Sequence, residues 1–238
     1  NFYLEKRETV NLNKFKKAFS RIIKLIKINT LVIIQSTVPP GTCERILYPE
    51  MQKIFKARGF DQNKALLSHS YERVMPGKYW LNSVINSYRV YSGINKEAAM
   101  KCRKFFSKVI NTKKYPLIKL QNTNSSELSK VLENSYRAVN IAFIEEWSRF
   151  SEDIGVDLYD VLKAIKTRDT HNNIRYPGFG VGGYCLTKDP LFGKIGSKQI
   201  FNLKNHNFLF SSNAIKINNN MPLVSVDKIV KYFNGSIK

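Results

Sequence analysis

The segment from residue 176 to residue 190 concentrates the residue types that covalent chemistry needs. Four glycines fall within six residues of it: Gly178, Gly180, Gly182 and Gly183. Such density permits positive φ angles and lets backbone amides approach a ligand closely. We expect Cys185, two residues later, in the first turn of a helix, where amide dipoles and the nearby Lys188 favour a nucleophilic thiolate. Asp189, one turn beyond Cys185, is placed to order a water molecule or hold a neighbouring donor.

The alternative for this segment is a flexible turn around a buried structural cysteine, the usual fate of a lone Cys. The glycine cluster, Cys185 and the Lys-Asp-Pro tail occur together, and the combination favours a catalytic loop. Cys102 lies in a helical pattern with no glycine nearby, and Cys43 opens a helical pattern with only Gly41 close by. We interpret both of these cysteines as structural.

Short apolar runs alternate with helical patterns as far as residue 109. Apolar residues at helical spacing predict helices over residues 11–27, 46–55 and 96–109. Short apolar runs predict strands over residues 31–34, 65–68 and 84–91. Because alternating strands and helices form parallel βαβ units, the sequence predicts a doubly wound α/β sheet.

The pattern changes beyond residue 116. Residues 125–150 contain no glycine or proline, their apolar positions follow helical spacing, and Ser125 or Ser126 can cap the start. Helical segments continue over residues 158–165 and, less clearly, beyond residue 202. We therefore place a boundary near residue 117, between an α/β domain and a mostly helical one.

Composition narrows the possible partners. The formal net charge of +21 suits nucleic acid, a membrane surface or a phosphorylated small molecule. The lysines are scattered along helices, however, so compositional bias explains the charge better, and we expect no nucleic-acid and no membrane partner. The longest apolar run near the start, residues 31–34, is too short to span a bilayer. Three widely spaced cysteines predict neither a disulfide framework nor a metal site and fit a reducing cytoplasm.

The loop Pro177-Gly-x-Gly-x-Gly-Gly-x-Cys185-x-x-Lys-Asp189 resembles the active-site loop of the UDP-glucose/GDP-mannose dehydrogenase family. Other segments are similar to the family's motifs, in the family's order. They are a cofactor-side loop (Ser36-Thr-Val-Pro-Pro-Gly-Thr42), a substrate-side Glu loop (Glu72-Arg-Val-Met-Pro-Gly77), a central helix (Ser126-Glu-Leu-Ser-Lys-Val-Leu-Glu-Asn134, continuing to Asn140-Ile-Ala142) and the entry to a third domain (Asn218-Asn-Asn-Met-Pro222). The resemblance implies the C-terminal part of a Rossmann-like NAD-binding domain over residues 1–116. It also implies a central helical dimerisation and catalytic domain over residues 117–217 and the start of a UDP-binding domain over residues 218–238.

Enzymes of this family oxidise the C6 alcohol of a nucleotide sugar to a carboxylate in two NAD-dependent steps. The resemblance makes Cys185 the nucleophile that captures the aldehyde as a thiohemiacetal, which becomes a thioester and is hydrolysed. It places Lys130 and Asn134, one helical turn apart, at the sugar C6, where an ammonium stabilises a developing oxyanion. It gives Glu72 a role in proton transfer and Asp189 a role in alkoxide and water chemistry.

These residues also have structural alternatives. Lys130 and Asn134 can form a solvated surface pair, and Glu72 can pair with Arg73 or with a nearby lysine. The isolated histidines at positions 69 and 171 receive no catalytic role.

The resemblance also assigns ligand contacts. The residues implied to approach the nicotinamide of NAD are Ser36, Thr37, Val38 and Lys188. Those implied to contact the UDP-sugar are Glu72, Lys130, Asn134, Arg175, Tyr176, Gly178, Gly180 and Gly182. The glycine-rich loop would hold pyrophosphate and sugar through backbone amides, while Arg175 would pair with a phosphate or carboxylate, including across a dimer interface. Apolar residues on more than one face of the central helix predict a homodimer.

Three departures from the family pattern leave alternatives open. The chain has no first βαβ unit that opens with the Gly-x-Gly-x-x-Gly fingerprint for the NAD pyrophosphate. No base-binding domain follows residue 238. The place of the family's second Glu falls near Pro76. We interpret the chain as an internal fragment and expect the fragment alone to be inactive. The Val-Gly-Gly-x-Cys pattern favours a UDP-N-acetylhexosamine and the Lys-Asp pair favours UDP-glucose, so the sugar stays open. The remaining alternatives are a non-catalytic oligomerisation remnant and, less favoured, a basic nucleic-acid-binding protein.

Overall fold

The computed structural model describes residues 9–74 and 77–233 of the chain. The chain divides into two units. Unit 1 comprises Asn1–Val131 and Phe192–His206, and unit 2 comprises Leu132–Leu191 and Asn207–Lys238. Each unit positions a different set of the predicted site residues.

Unit 1 is built around a short sheet flanked by helices. Its elements are α1 (Leu12–Ile23), β1 (Leu31–Ile34), α2 (Tyr48–Ala57), β2 (Leu66–His69), α3 (Trp80–Ile85), β3 (Val90–Gly93), α4 (Lys96–Phe106) and β4 (Ile118–Lys119). A π-helical turn, Cys43–Leu47, leads into α2. The side chains of Asn11 and Asn95 cap α1 and α4 by accepting hydrogen bonds from backbone N–H groups of the first turn.

The sheet has the strand order β1-β2-β3-β4. β1 and β2 pair in parallel with Leu31 opposite Leu66, and β3 and β4 are also parallel. β2 and β3 pair antiparallel with His69 opposite Ser92, so the expectation of parallel pairing throughout is wrong at this pair. The connection gives the reason. Parallel neighbours are usually joined by a helix that packs on the sheet, whereas the helix of this connection, α3, has six residues and none of them is buried.

The predicted strand over residues 84–91 is wrong except at its last two residues. Val84 and Ile85 end α3, and β3 begins only at Val90. Short apolar runs do not distinguish a strand from a buried helical turn by periodicity alone. The strand predicted over residues 31–34 is confirmed as β1, and the helices predicted over residues 11–27 and 96–109 are confirmed as α1 and α4.

A hydrophobic cluster holds α4 on the sheet of unit 1. Tyr91 of β3 packs with Cys102, Phe106 and other buried residues of this region. Gly93 allows the close approach, because a Cβ atom there would stand 2.4 Å from the backbone nitrogen of Ala99. Burial raises the pKa of Cys102 to about 11, which fits its interpretation as a structural residue.

Helices dominate the rest of the chain. They are α5 (Thr123–Asp153), α6 (Leu158–Lys166), α7 (Phe192–Ile195) and α8 (Leu209–Tyr232). The Asn122 side chain caps α5 by accepting from the Ser125 N–H group at 2.9 Å, so the expected capping by Ser125 or Ser126 is wrong. Within unit 2, α5 and α8 meet through small residues, Ala138, Ala142 and Ala214.

Two negative findings apply to the described residues. None of their helices is both long enough and apolar enough to cross a bilayer. Within residues 9–74 and 77–233, no group of three or more His, Cys, Asp or Glu side chains is arranged to hold a metal ion.

Candidate active site

Cys185 lies in a tight turn ahead of a short helix in unit 2. Its carbonyl oxygen accepts from the backbone N–H groups of Lys188 at 3.2 Å and of Asp189 at 2.9 Å. The helix is a 3₁₀ turn over Asp189–Leu191, so the expectation that Cys185 occupies its first turn is wrong. Pro190 gives the reason, because it has no N–H group to donate to the Leu186 carbonyl oxygen, as an α-helix that begins at Cys185 would require. Cys185 itself is exposed and free.

The carboxylate of Asp189 fixes this turn. Asp189 is fully buried, its Oδ2 accepts from the Asn134 side-chain amide at 2.8 Å, and its Oδ1 pairs with the Lys188 ammonium at 2.5 Å. Asn134 is also buried, and its Oδ1 has no hydrogen-bond partner among the described residues. The cluster thus places the Asp189 carboxylate, paired with Lys188, one turn from Cys185, and Asn134 Oδ1 can still accept a hydrogen bond. This arrangement suits the orientation of a hydroxyl group or a water molecule.

The glycine-rich loop of unit 2 is attached to two helices. The Gly178 N–H group donates to Glu145 Oε1 of α5 at 2.8 Å. Gly180 has a φ of +128°, and a Cβ atom there would stand 3.3 Å from Met221 Cβ of α8. A glycine is therefore needed at position 180 for both conformation and space.

A cavity of about 280 Å³ lies against this loop. Its lining consists of Arg137, Ile141, Glu145, Arg175, Tyr176, Gly178, Gly180 and Val181. Burial raises the pKa of Glu145, which is 1% exposed, while the Gly178 N–H group lowers it to a smaller extent. The cavity gathers four of the predicted substrate-binding residues, whereas Gly182 lies in the same exposed loop outside its lining.

Aromatic and amide contacts hold the residues ahead of the glycines. The Tyr176 ring stacks on Tyr159 with centroids 5.5 Å apart, and the Lys166 ammonium lies 4.1 Å from the Tyr176 centroid. The Arg175 N–H group donates to Asn140 Oδ1 at 3.2 Å. The backbone of this segment is thereby fixed by α5 and α6, and Arg175 remains exposed.

In unit 1, the predicted cofactor loop follows the carboxyl end of β1. Ser36 and Thr37 are half-buried and Val38 is buried. Ligands of open α/β sheets bind outside the carboxyl ends of strands, so this position suits a cofactor. A Cβ atom at Gly41, where φ is +91°, would stand 2.7 Å from the Phe201 ring.

A buried glutamate of α5 holds the far end of this loop. Glu127 is 1% exposed and accepts from the N–H groups of Gly41 at 2.7 Å and Cys43 at 2.8 Å. Burial raises the pKa of Glu127 to about 7 despite these donors. Burial and the neighbouring Glu127 carboxylate raise the pKa of Cys43 well above its ordinary value, which fits a structural thiol. Sequence reasoning missed Glu127, because periodicity does not reveal which polar residue of a helix is buried.

Lys130 and Glu72 are also in unit 1, where Glu72 follows Tyr71 in sequence and Lys130 lies over the Tyr71 ring. Lys130 is only 8% exposed, and its ammonium lies 5.4 Å from the Tyr71 ring centroid, so it is not a solvated surface residue. Both carboxylate oxygens of Glu72 accept from Arg89 Nη2 at 3.0 Å. Glu72 therefore pairs with Arg89, and the Arg73 backbone N–H group also donates to its Oε1 at 2.8 Å. The predicted place of a second Glu near Pro76 lies outside the described residues.

His69, the last residue of β2, belongs to a buried polar network. Its Nδ1 lies 2.7 Å from Ser126 Oγ, which lies 2.6 Å from Ser92 Oγ. Burial lowers the pKa of His69 to about 4, so the ring is neutral near pH 7. These contacts are between framework residues, and the sequence offers no pattern that connects them.

Two models of one protein family match the chain. Residues 4–110 match the UDP-glucose/GDP-mannose dehydrogenase family, NAD binding domain, and residues 124–220 match the central domain of the same family. The fold expectation, a Rossmann-like domain followed by a helical central domain, is confirmed. NAD is confirmed as the cofactor of the family that these models describe.

Individual relatives carry concordant names. UDP-N-acetyl-D-mannosamine dehydrogenase from Methanococcus maripaludis is 31% identical over 224 residues, which are 94% of this chain and 47% of that protein. The structure of UDP-D-ManNAc dehydrogenase from Pyrococcus horikoshii has a TM-score of 0.77 at 27% identity, over 96% of this chain and 52% of that one. UDP-N-acetyl-mannosamine dehydrogenase from Staphylococcus aureus supports the fold, with a TM-score of 0.79 at 24% identity over 100% of this chain and 52% of that one. The chain spans about half the length of the curated relatives that it matches.

Proposed function

The chain belongs to the UDP-glucose/GDP-mannose dehydrogenase family, and we propose on this premise that it forms part of an enzyme that oxidises the C6 alcohol of a UDP-sugar to the uronic acid. One observation carries the proposal. The exposed Cys185 lies one turn before the buried Asp189, and the Asp189 carboxylate accepts a hydrogen bond from Asn134. The names of the relatives favour a UDP-N-acetylhexosamine over UDP-glucose as the substrate.

The chemistry needs an electron acceptor and a covalent nucleophile. NAD, when bound, accepts one hydride in each of two oxidations. Residues 36–38 fit the nicotinamide side of that cofactor, because they follow the carboxyl end of β1 on a loop that Glu127 holds at its far end. In the first oxidation the sugar alcohol loses a hydride and its hydroxyl proton and becomes an aldehyde. Asp189 and Asn134 orient that hydroxyl, and the Lys130 ammonium stabilises the developing oxyanion.

The second oxidation passes through Cys185. Its thiolate adds to the aldehyde carbon, and the resulting alkoxide takes up a proton to give a thiohemiacetal. Loss of a second hydride and of the hydroxyl proton gives a thioester. Water then attacks the thioester carbon, the carbon–sulfur bond breaks, and the uronic acid leaves with Cys185 restored. Glu72 is held by Arg89 and therefore serves better to position the attacking water than to take its proton directly.

We also propose a homodimer through α5. The helix carries large exposed hydrophobic residues within unit 2: Leu132, Tyr136, Phe143, Trp147 and Phe150. Their spacing of three, four or seven residues places them along one stripe of the helix. An exposed apolar stripe of this length is typical of a surface that a partner covers. The same stripe supports the second candidate function, a non-catalytic oligomerisation remnant.

Alkylation of the thiols at near-neutral pH, followed by peptide mapping, tests the proposal. Cys185 should react first and should be protected by a UDP-sugar, while Cys43 and Cys102 stay unlabelled because they are buried and their thiol pKa values are raised. The control is Cys185→Ala, in which the peptide around residue 185 should stay unlabelled; in a full-length version of the enzyme this variant should form no acid. Labelling of Cys185 that a UDP-sugar leaves unchanged would favour the oligomerisation remnant.

A further inference from the structure

Tyr71, which directly precedes Glu72, has the largest fully buried side chain among the described residues. A buried tyrosine hydroxyl group needs hydrogen-bond partners, and this one has two. Its oxygen lies 3.0 Å from Ser129 Oγ and accepts from Arg73 Nη2 at 3.1 Å. Full burial and these two contacts restrict the ring to one position.

The Lys130 side chain lies over this fixed ring. Its ammonium is 5.4 Å from the Tyr71 centroid, within the distance at which the π face of a ring attracts a cation. Lys130 is 8% exposed, and none of the ion pairs formed by the described residues includes it. A carboxylate partner would accept the N–H groups of the ammonium and neutralise its charge. The ring attracts the same charge and leaves N–H groups available to another acceptor.

The residues beside the ring add positive charge. The Arg73 Cζ atom lies 5.2 Å from the Tyr71 centroid, and Arg89 Nη1 donates to the Tyr71 carbonyl oxygen at 2.9 Å. Both carboxylate oxygens of Glu72 accept from Arg89 Nη2. Three cationic side chains and one carboxylate therefore lie around Tyr71, so the local electrostatic field favours an anion that forms beside Lys130.

We propose that Tyr71 is a positioning residue, whose ring holds the Lys130 ammonium with its N–H groups available to the oxyanion that forms at the sugar C6. This inference rests on the proposed function, which assigns that oxyanion to Lys130, and deepens it. The π face carries the effect, and the hydroxyl group only helps to fix the ring. Tyr71→Phe keeps the π face, which burial still confines, whereas Tyr71→Leu removes it.

Nuclear magnetic resonance of the 238-residue chain, with carbon-13 at the Cε atoms of the lysines, tests where the Lys130 ammonium lies. Nuclei above an aromatic face are shifted upfield by the ring current. The Hε signals of Lys130 should therefore lie upfield of those of Lys17, an exposed lysine of α1. Lys130→Arg and Lys17→Arg each remove one signal and so identify it. The upfield shift of Lys130 should persist in Tyr71→Phe and disappear in Tyr71→Leu.

A matched substitution separates positioning from a general loosening of the core. Phe55→Leu removes another fully buried ring of unit 1, so it should lower stability in the same way as Tyr71→Leu while the Lys130 signal stays in place. Carbon-13 relaxation should show a more mobile Lys130 Cε atom in Tyr71→Leu only. Should Tyr71→Leu fail to fold, the wild type and Tyr71→Phe still decide the matter, because both must show the upfield shift.

A full-length version of the enzyme gives the kinetic test. Tyr71→Leu should lower kcat by about threefold to about thirtyfold, the range expected for loss of one cation–π contact, while KM for the UDP-sugar changes little. Tyr71→Phe should keep the kcat of the wild type.

Four outcomes would overturn the inference. They are a Lys130 signal at the position of Lys17 in the folded wild type, an unchanged signal in Tyr71→Leu, an equal change in Phe55→Leu, and wild-type kcat in full-length Tyr71→Leu. Failure of the proposed function is distinguishable from these outcomes. The Lys130 signals require neither substrate nor thiol, so they should keep their positions in Cys185→Ala whether or not Cys185 proves to be the nucleophile.

Discussion

Cys43 and Cys185 each open a turn that follows a glycine-containing loop, yet their surroundings are opposite. Cys43 is fully buried beside the carboxyl group of Glu127, and both burial and that neighbour raise the pKa of its thiol. Cys185 is exposed, and its turn also contains the Lys188–Asp189 ion pair. A cysteine after a glycine is therefore not informative by itself. Whether the thiol can act as a nucleophile depends on the charge of the neighbouring side chain and on the access of the thiol to solvent.

The largest expected effect comes from removing the carboxyl group that holds the Cys43 turn. Glu127→Ala leaves the N–H groups of Gly41 and Cys43 buried without their acceptor, so the free energy of unfolding should fall by about 3 kcal/mol. Urea denaturation measures the change, and Cys43 should become more reactive toward alkylating reagents. The control is Glu146→Ala, an exposed position of the same helix, where the change should stay within about 0.5 kcal/mol. Similar values for the two variants would contradict the role of Glu127.

A smaller effect is expected when a methyl group is added to each loop. At Gly41, where φ is +91° and a Cβ atom would stand 2.7 Å from Phe201, an alanine should lower stability by about 2 kcal/mol. Gly182 has nothing within 4 Å of an added Cβ atom, so Gly182→Ala should change stability by less than about 0.5 kcal/mol. Thermal and urea unfolding of the two variants compare the loops directly, and equal losses would show that the Gly41 loop is not closely packed.

The smallest net effect concerns pH, because two buried groups change stability in opposite directions. The pKa of Glu127 is raised to about 7 in the folded chain from an ordinary 4.5, so the folded state binds more protons between these values. This carboxyl group should therefore make the chain less stable as pH rises from about 4.5 to about 7. His69, with its pKa lowered to about 4 from 6.5, acts in the opposite direction over nearly the same range.

The measurement must separate these two groups. The difference in free energy of unfolding between wild type and Glu127→Gln cancels the His69 contribution, because both proteins contain that residue. Moving from about pH 4.5 to about pH 7, the wild type should lose stability relative to the variant. A difference that does not change with pH would show that Glu127 titrates at its ordinary value.

The sequence predicted the helices and strands better than it predicted how the strands pair. The apolar run at residues 31–34 matches β1 residue for residue, because a short β-branched segment between turns has few other uses. Residues 84 and 85 were misread, because the same kind of run also ends a helical turn. The antiparallel pairing of β2 and β3 depends on how the intervening chain folds back, and local patterns do not encode this.

For the candidate site, the types of the residues were predictable and their neighbours were not. Glycine density and the Cys-x-x-Lys-Asp spacing indicate the loop from sequence alone. Glu72 pairs with Arg89, and Glu127 and Glu145 are buried. In each case the residues that meet are distant in sequence. Hydrophobic periodicity treats charged helix positions as solvent-facing, so it assigns such residues to the wrong side.

The alanine contact between α5 and α8 limits how this part of the chain can vary during evolution. Ala138, Ala142 and Ala214 leave no side chain that could rotate away to admit a larger neighbour. A valine or leucine at any of them would push α8 outward, and with it Met221, the residue against which Gly180 rests. Only exchanges to glycine or serine preserve the spacing of the helices. The three positions therefore constrain the glycine-rich loop from a distance, and substitutions there should persist only with a compensating change on the facing helix.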